Sequence, residues 1–261
     1  MLDKERVSAI ADELAEAERS RGMIPLLTAR DPEMTVEDAY AVQNEWRRRG
    51  QEAGRRLAGR KIGLTSKVMQ EATGITEPDY GAIFADQMHE TGAVIEHSQY
   101  SSVRIEMELA FVLKETLRGP DVTIFDVLRA TECVVPALEI LSSRIEMEGR
   151  TIVDTISDNA ALGGVVHGGR PVAPDALDLR WVSALLYRNE TIEDSGVAAA
   201  VLDHPARGVA WLANRLAGHD DALEAGEFIL AGSFTKPMWV HPGDTVHADY
   251  GELGVVTCRF A

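Results

Sequence analysis

The chain predicts an α+β protein with a helical N-terminal part and a strand-rich remainder. Three observations carry this. Apolar residues fall at helical spacing through about residue 55, and short strand-like runs separated by Gly, Pro and Asp take over from Lys61. Helices interrupt those runs irregularly instead of alternating with them, which argues against a doubly wound sheet. The expected division is a helical cap at 1–58 and a strand-rich domain at 59–261.

In chain order, Val7, Ile10, Leu14 and Ala17 form a helical stripe, and Gly22 offers a stop. Thr35 reads as an N-cap with Asp38 three residues on, an acidic form of the capping box. Val36, Ala39, Tyr40 and Trp46 follow on one stripe, with Gly50 expected to end it. The Arg47-Arg-Arg49 run reads as a solvated helix end. Strands are expected at 93–95, 106–113, 134–140, 181–188, 227–230, 244–249 and 255–260, and helices at 124–132 and 205–217. Pro205 suits a first helical turn, and 249–254 reads as a hairpin turn.

Composition narrows the class. A 261-residue chain that is 45% hydrophobic can bury a sizeable core. It holds no run of about 18 apolar residues, so no membrane span is expected. The first seven residues are charged and lack an apolar signal core. Two cysteines, Cys133 and Cys258, without CxxC spacing fit a reducing cytosol and no thiolate metal site. A net charge of −16 argues against nucleic-acid and anionic-membrane partners. An anionic substrate would need local cationic help.

The chemistry-bearing residues begin with Arg104-Ile-Glu-Met-Glu-Leu-Ala-Phe-Val-Leu113. The run alternates at strand period, so Glu106 and Glu108 point to one face and Ile105, Met107, Leu109 and Phe111 to the other. Two buried carboxylates on one face require a neutralising partner, and a hard divalent cation is one. An edge strand with its acidic face in water is the alternative. A third carboxylate, Glu139, closes the apolar run Val134-Val-Pro-Ala-Leu-Glu139. Lys61 precedes an apolar, glycine-containing segment where a desolvated ammonium could serve proton transfer, or it is a surface lysine. Asp154-Thr-Ile-Ser-Asp-Asn159 suits a substrate loop or an Asx-rich turn, and Gly232-Ser-Phe-Thr235 suits a carboxylate cradle or a simple strand-to-loop turn. The 59–67 segment lacks phosphate-loop order, Ser66 and Ser233 lack a nucleophile-elbow context, and His241 and His247 lack ligand spacing.

Taken together, Lys61-Ile-Gly-Leu-Thr-Ser-Lys67, Glu77-Pro-Asp-Tyr-Gly81, Arg104-Ile-Glu-Met-Glu108, Pro136-Ala-Leu-Glu139, Asp154–Asn159 and Gly232-Ser-Phe-Thr235 occur in one order. That set resembles the 2-oxo-alkenoate hydratases of aromatic meta-cleavage pathways, within the fumarylacetoacetate hydrolase superfamily, over nearly the whole chain. The resemblance implies a mixed β-roll behind a helical N-terminal part, in a cytoplasmic hydro-lyase dependent on Mg²⁺ or Mn²⁺ and assembled as a pentamer-based homo-oligomer. By motif match it implies Glu106, Glu108 and Glu139 as metal ligands and Lys61 and Asp79 as catalytic groups. Asp158 and Asn159 would line the pocket, Ser233 and Thr235 would lie near the substrate carboxylate, and Arg104 or Arg144 would offset substrate charge.

The implied reaction adds water to a 2-oxo-4-enoate, a heptenedioate being favoured over a pentenoate. Decarboxylation of a 2-oxo-enedioate is the alternative reaction, and a non-catalytic dicarboxylate-binding protein is the alternative of another class. The segment between Arg144 and Thr151 is shorter than in the heptenedioate enzymes, which puts chain-length selectivity there in question.

Overall fold

A computed structural model describes residues 1–67, 70–71 and 75–261. Helix α1 (Lys4–Ser20) begins where the Asp3 side chain accepts a hydrogen bond from the Arg6 N–H, and it buries Ile10, Leu14 and Ala17. After the short α2 (Leu27–Arg30), α3 (Val36–Glu52) opens on the expected Thr35–Asp38 capping box. Gly50 does not end α3. It lies inside the helix, where a Cβ would come within 2.8 Å of the Phe84 ring, so its role is close packing. The arginine run is not simply solvated either: Arg47 pairs with Asp221 at 3.2 Å and Arg49 with Asp12 of α1, stitching α3 to its surroundings.

The strands are β1 (Leu57–Gly63), β2 (Asp79–Phe84), β3 (Met88–Glu90), β4 (Ala93–Ile95), β5 (Arg104–Leu113), β6 (Thr131–Leu141), β7 (Leu162–His167), β8 (Ser183–Arg188), β9 (Thr191–Val197), β10 (Phe228–Ser233), β11 (Met238–Trp239), β12 (Thr245–Asp249) and β13 (Val255–Phe260). Helices α4 (Ile124–Ala130), α5 (Ile152–Ser157) and α6 (Pro205–Ala217) interrupt them. The helix expected at 124–132 stops at Ala130 because β6 recruits Thr131 opposite Leu113. The strand expected from residue 181 starts at Ser183, after a 3₁₀ turn over Leu179–Trp181. Residues 249–254 do join two antiparallel strands, β12 and β13. Helix α5 occupies a segment read as loop or turn, and its signal was present as a Thr-x-x-Asp capping box, Thr151–Asp154, of the same kind as Thr35–Asp38.

Among the described residues the strands form two sheets. The larger runs β2-β1-β10-β5-β6-β7-β3, with β11 alongside β5, and the smaller runs β4-β13-β12-β8-β9. Both mix parallel and antiparallel pairing, since β1–β10, β3–β7 and β4–β13 are parallel. The fold is thus an α+β mixed roll, as expected. Strand β5 is central, between β10 and β6, which removes the edge-strand reading of its acidic face. The two faces of the large sheet differ. Ile105, Met107, Leu109 and Phe111 enter the main apolar cluster together with α1 and α3 residues, while Ala110, Ala137, Val135, Phe228 and Leu230 form a smaller cluster on the opposite face. Glu106, Glu108 and Glu139 prolong that second face by strand alternation.

Candidate active site

Register brings the carboxylates together. In the β5–β6 ladder Glu106 stands directly opposite Glu139, and Glu108 opposite Ala137. One oxygen from each of the three glutamates lies within 4.8 Å of the others. Like charges facing across a ladder are destabilising unless a cation sits among them. Lys61 arrives from β1, two strands from β5, and its Nζ lies 3.1 Å from Glu139 Oε1. Asp79 opens β2 opposite Gly63 of β1. A Cβ on Gly63 would fall 2.2 Å from Asp79 Oδ1 and 3.2 Å from Lys61 Nζ, so glycine is what lets these two charged groups share the space. Gly232, at φ +115°, turns the end of β10 so that its N–H donates to Glu108 Oε2 at 2.8 Å.

The cluster is buried and incompletely satisfied. Lys61, Asp79, Glu108 and Glu139 are all inaccessible or nearly so, while Glu106 keeps a partly exposed edge. Both oxygens of Asp79, both of Glu139, and Oε1 of Glu108 are buried without a hydrogen-bond partner. Burial, then the Glu139 charge, pushes Glu106 up to about 8. Burial with Glu139 and Glu106 drives Glu108 well above the carboxylate range. Burial likewise raises Asp79, although Lys61 opposes it. For Lys61, burial would lower the pKa, but Glu139, Asp79 and the other two glutamates more than reverse that and hold it protonated. Three convergent carboxylates with orphaned oxygens are an all-oxygen donor set that fits a hard divalent cation. Among the described residues this is the one group of three or more potential ligands that converge, and neither His241 nor His247 belongs to it.

A cavity of about 430 Å³ opens beside the cluster, walled by Lys61, Asp79, Glu106, Arg104 and Ser233, with apolar surface from Leu64, Ile75, Leu141, Met147 and Pro237. The other sequence-nominated residues stand behind this wall. Arg144 is buried against Asp158, with Nε 2.5 Å from Oδ1, and it also donates to the carbonyls of Leu162 and Asp158. Its guanidinium ties the chain on the two sides of α5 together and points no charge at the cavity. Asn159 clamps the β2 backbone: its Oδ1 accepts from Ala82 N–H at 2.7 Å and its Nδ2 donates to Ala82 O at 2.9 Å. Asn159, Ala160 and Ala161 all have positive φ, and this strained turn puts the two alanines into the cavity wall. Thr235 accepts from the Met107 N–H at 3.1 Å and holds Ser233, so of that pair only Ser233 reaches the cavity. Thr155, from the nominated Asp154–Asn159 segment, does line the cavity, whereas sequence reasoning missed Arg150 and Met147, which line it too. The available signal was that Met147 and Arg150 fall in the 144–151 segment already marked as unusual in length.

Residues 65–261 match the family described as fumarylacetoacetate (FAA) hydrolase, C-terminal. The chain belongs to this family. It is 53% identical, over 100% of both chains, to 2-oxo-hept-4-ene-1,7-dioate hydratase of Escherichia coli. It is 37% identical to 4-oxalocrotonate decarboxylase of Pseudomonas putida, over 99% of this chain and 98% of that one. A solved structure of 4-oxalocrotonate decarboxylase from Pseudomonas putida G7, complexed with magnesium and adipate, superimposes with a TM-score of 0.97 at 36% identity, covering 100% of this chain and 99% of that one. Family membership and the carboxylate cluster were thus both expected from the six ordered motifs.

Proposed function

We propose that this protein is a divalent-cation-dependent hydratase that adds water to a 2-oxo-4-enoate, with 2-oxohept-4-ene-1,7-dioate as its substrate, in meta-cleavage breakdown of aromatic compounds. The observation that carries this is the convergence of Glu106, Glu108 and Glu139 beside Lys61 and Asp79 at the wall of one cavity. Full-length similarity to the Escherichia coli hydratase supports the substrate, and the magnesium- and adipate-bound relative supports both the cation and a dicarboxylate ligand. Mg²⁺ is the ion this reading favours, with Mn²⁺ as its substitute.

Glu106, Glu108 and Glu139 would hold the ion. A divalent cation held there would supply positive charge to the 2-oxo end of the substrate. The residues of the chain do the rest. Lys61, kept cationic by its carboxylate neighbours, sets a second fixed positive charge beside the reacting end and favours the enolate. Loss of a C-3 proton gives the enolate, protonation at C-5 leaves the double bond between C-3 and C-4 in conjugation with the 2-oxo group, and water then adds with its oxygen at C-4 and a proton at C-3. Asp79, whose oxygens are unpartnered and whose pKa is raised, is the carboxylate that takes the proton from the incoming water. Leu64, Ile75, Leu141 and Met147 exclude bulk water from the carbon chain. A pentamer-based homo-oligomer and a cytoplasmic location belong to the same proposal. No helix among the described residues is long and apolar enough to cross a membrane.

The second reading, decarboxylation of a 2-oxo-enedioate, is supported by the 0.97 TM-score to the decarboxylase. One assay separates them: purified protein with Mg²⁺ is offered C5 to C7 2-oxo-enoates, and product mass reports gain of water or loss of CO₂. Hydration of the heptenedioate is the expected result. CO₂ release would favour the second reading, and no turnover of any member with Mg²⁺ or Mn²⁺ would overturn both.

A further inference from the structure

Lys61 is not the cavity's only cation. Its wall also contains Arg104, which lies in the field of Glu106 and Glu139, and Arg150, which lies in the field of Asp79. Arg104 lies one step from Glu106 on the same face of β5, about 7 Å along the strand. Its Nε is buried without a hydrogen-bond partner, and its guanidinium stacks on the Trp239 ring at 5.5 Å. Arg150 comes from the segment between Arg144 and α5. Asp158 anchors it through Nη2 at 3.3 Å, and its Nε is also buried without a partner. The two guanidiniums are close enough to act on one another electrostatically. Two like charges held at one cavity wall with unused buried donors are unfavourable alone and become favourable around an anion.

We infer that Arg104 and Arg150 bind the far carboxylate of the substrate, and that they select dicarboxylic over monocarboxylic 2-oxo acids. This rests on the hydratase reading above and deepens it. The carboxylate cluster fixes the 2-oxo end, and both arginines line the same cavity, Arg104 about 7 Å along β5 from Glu106, the span of a short carbon chain. The Arg144–Thr151 segment sets that distance because it carries both Arg150 and Met147. Asp158 acts as a positioning residue: it is itself fully buried and holds Arg144 and Arg150 at once. A guanidinium offers a planar fork that matches a carboxylate, which a lysine would not. Charge also agrees. A dianionic substrate and a divalent cation cancel, so the pair can enter a site whose own charges are already arranged around them.

The test uses two saturated, unreactive analogues of equal length, 2-oxoheptanedioate and 2-oxoheptanoate, titrated calorimetrically into the full-length protein in excess Mg²⁺. Wild-type protein is expected to prefer the dioate by roughly 10- to 100-fold, the scale of hydrogen bonds to a charged group. Arg104→Met and Arg150→Met should each bring that ratio down towards one, while Arg150→Lys should keep only part of it. A ratio unchanged in both Met variants would overturn the inference, and so would wild-type protein that binds the two analogues alike. Equal losses for both analogues would also overturn it, by assigning the arginines to the 2-oxo end. If neither analogue binds wild-type protein, the hydratase reading fails and this inference with it. Because Arg150 also ties down Asp158, thermal melts accompany each variant. Should Arg150→Met fail to fold, Arg104→Met, at a site with no ion pair to Asp158, decides the question.

Discussion

Lys61–Glu139 and Arg144–Asp158 are ion pairs buried on both sides, and they are built on opposite plans. Arg144 and Asp158 complete one another. The arginine backbone N–H and Nε both reach the carboxylate, and the remaining guanidinium nitrogens donate to the carbonyls of Leu162 and Asp158. Lys61 and Glu139 do not: Glu139 has no hydrogen bond to either oxygen, and Asp79 and Glu108 nearby leave three more buried oxygens unmet. A buried charge whose partners are all present holds the fold, whereas one whose partners are missing waits for a ligand. The difference locates the chemistry better than burial or charge alone, because both pairs have those.

The comparison breaks first at Arg144. Arg144→Met should cost about 3 kcal/mol, because it removes the guanidinium that pairs with buried Asp158 and leaves that carboxylate only Arg150, at 3.3 Å. The check is a denaturant or thermal melt, and the loss should persist in saturating Mg²⁺, which has no access to Asp158. A variant as stable as wild type would show that the hydrogen-bond network is not what holds α5 and β7 in place. Lys61→Met is the counterpart. It should lower kcat about 100-fold, the usual contribution of a positioned charged group at a reacting centre. Its stability loss should be seen mainly without metal and recovered with Mg²⁺, since a divalent cation can replace the ammonium as partner of Glu139. Turnover at the wild-type rate would remove Lys61 from the chemistry, and a metal-independent loss of fold would put it in the same class as Arg144.

A smaller effect concerns ligand linkage. Oxalate mimics the planar chelating end of an enolised 2-oxo acid. It should inhibit, and Mg²⁺ and oxalate should each tighten the other's binding by the same factor, about 5- to 150-fold. Calorimetry of oxalate in EDTA and in excess Mg²⁺ measures this, and equal affinities would discard the chelate arrangement.

The smallest expected effect is in pH. Glu106, raised to about 8 by burial and by Glu139, binds more protons in the folded state than in the unfolded chain, whose carboxyl titrates near its ordinary value. Its contribution to metal-free stability is therefore complete below that ordinary value and is lost as pH rises through 8. Glu108 shifts in the same direction. The gap between melts with and without Mg²⁺ should widen from pH 5 to pH 8, by a few kcal/mol at most. A gap that narrows with rising pH would contradict the assigned cause.

Several parts of the site were legible in the chain. The alternation of Arg104–Leu113 fixed the common face of Glu106 and Glu108, and the Thr35–Asp38 box marked the start of α3. Local signals of this kind survive because they depend on neighbours one to three residues apart. Gly50 misled because glycine both ends helices and permits close packing, and only the Phe84 ring on β2 distinguishes the two. Arg144 and Asn159 misled for a similar reason. A charged or amide side chain in a site motif has the same sequence signature whether it faces the cavity or clamps the backbone behind it.

By itself the sequence determined which residues could carry the chemistry: strand period placed two glutamates together, and motif order pointed to the family. Only the tertiary structure decided which of the charged residues face one another. Glu139 meets Glu106 through the β5–β6 register, and Lys61 reaches them through β10 by a parallel pairing with a strand more than 160 residues away in the chain. The tertiary fold likewise pairs Arg144 with Asp158 and leaves Arg150 at the cavity. Whether a buried charge is satisfied depends on those long-range neighbours, so no local pattern can encode it.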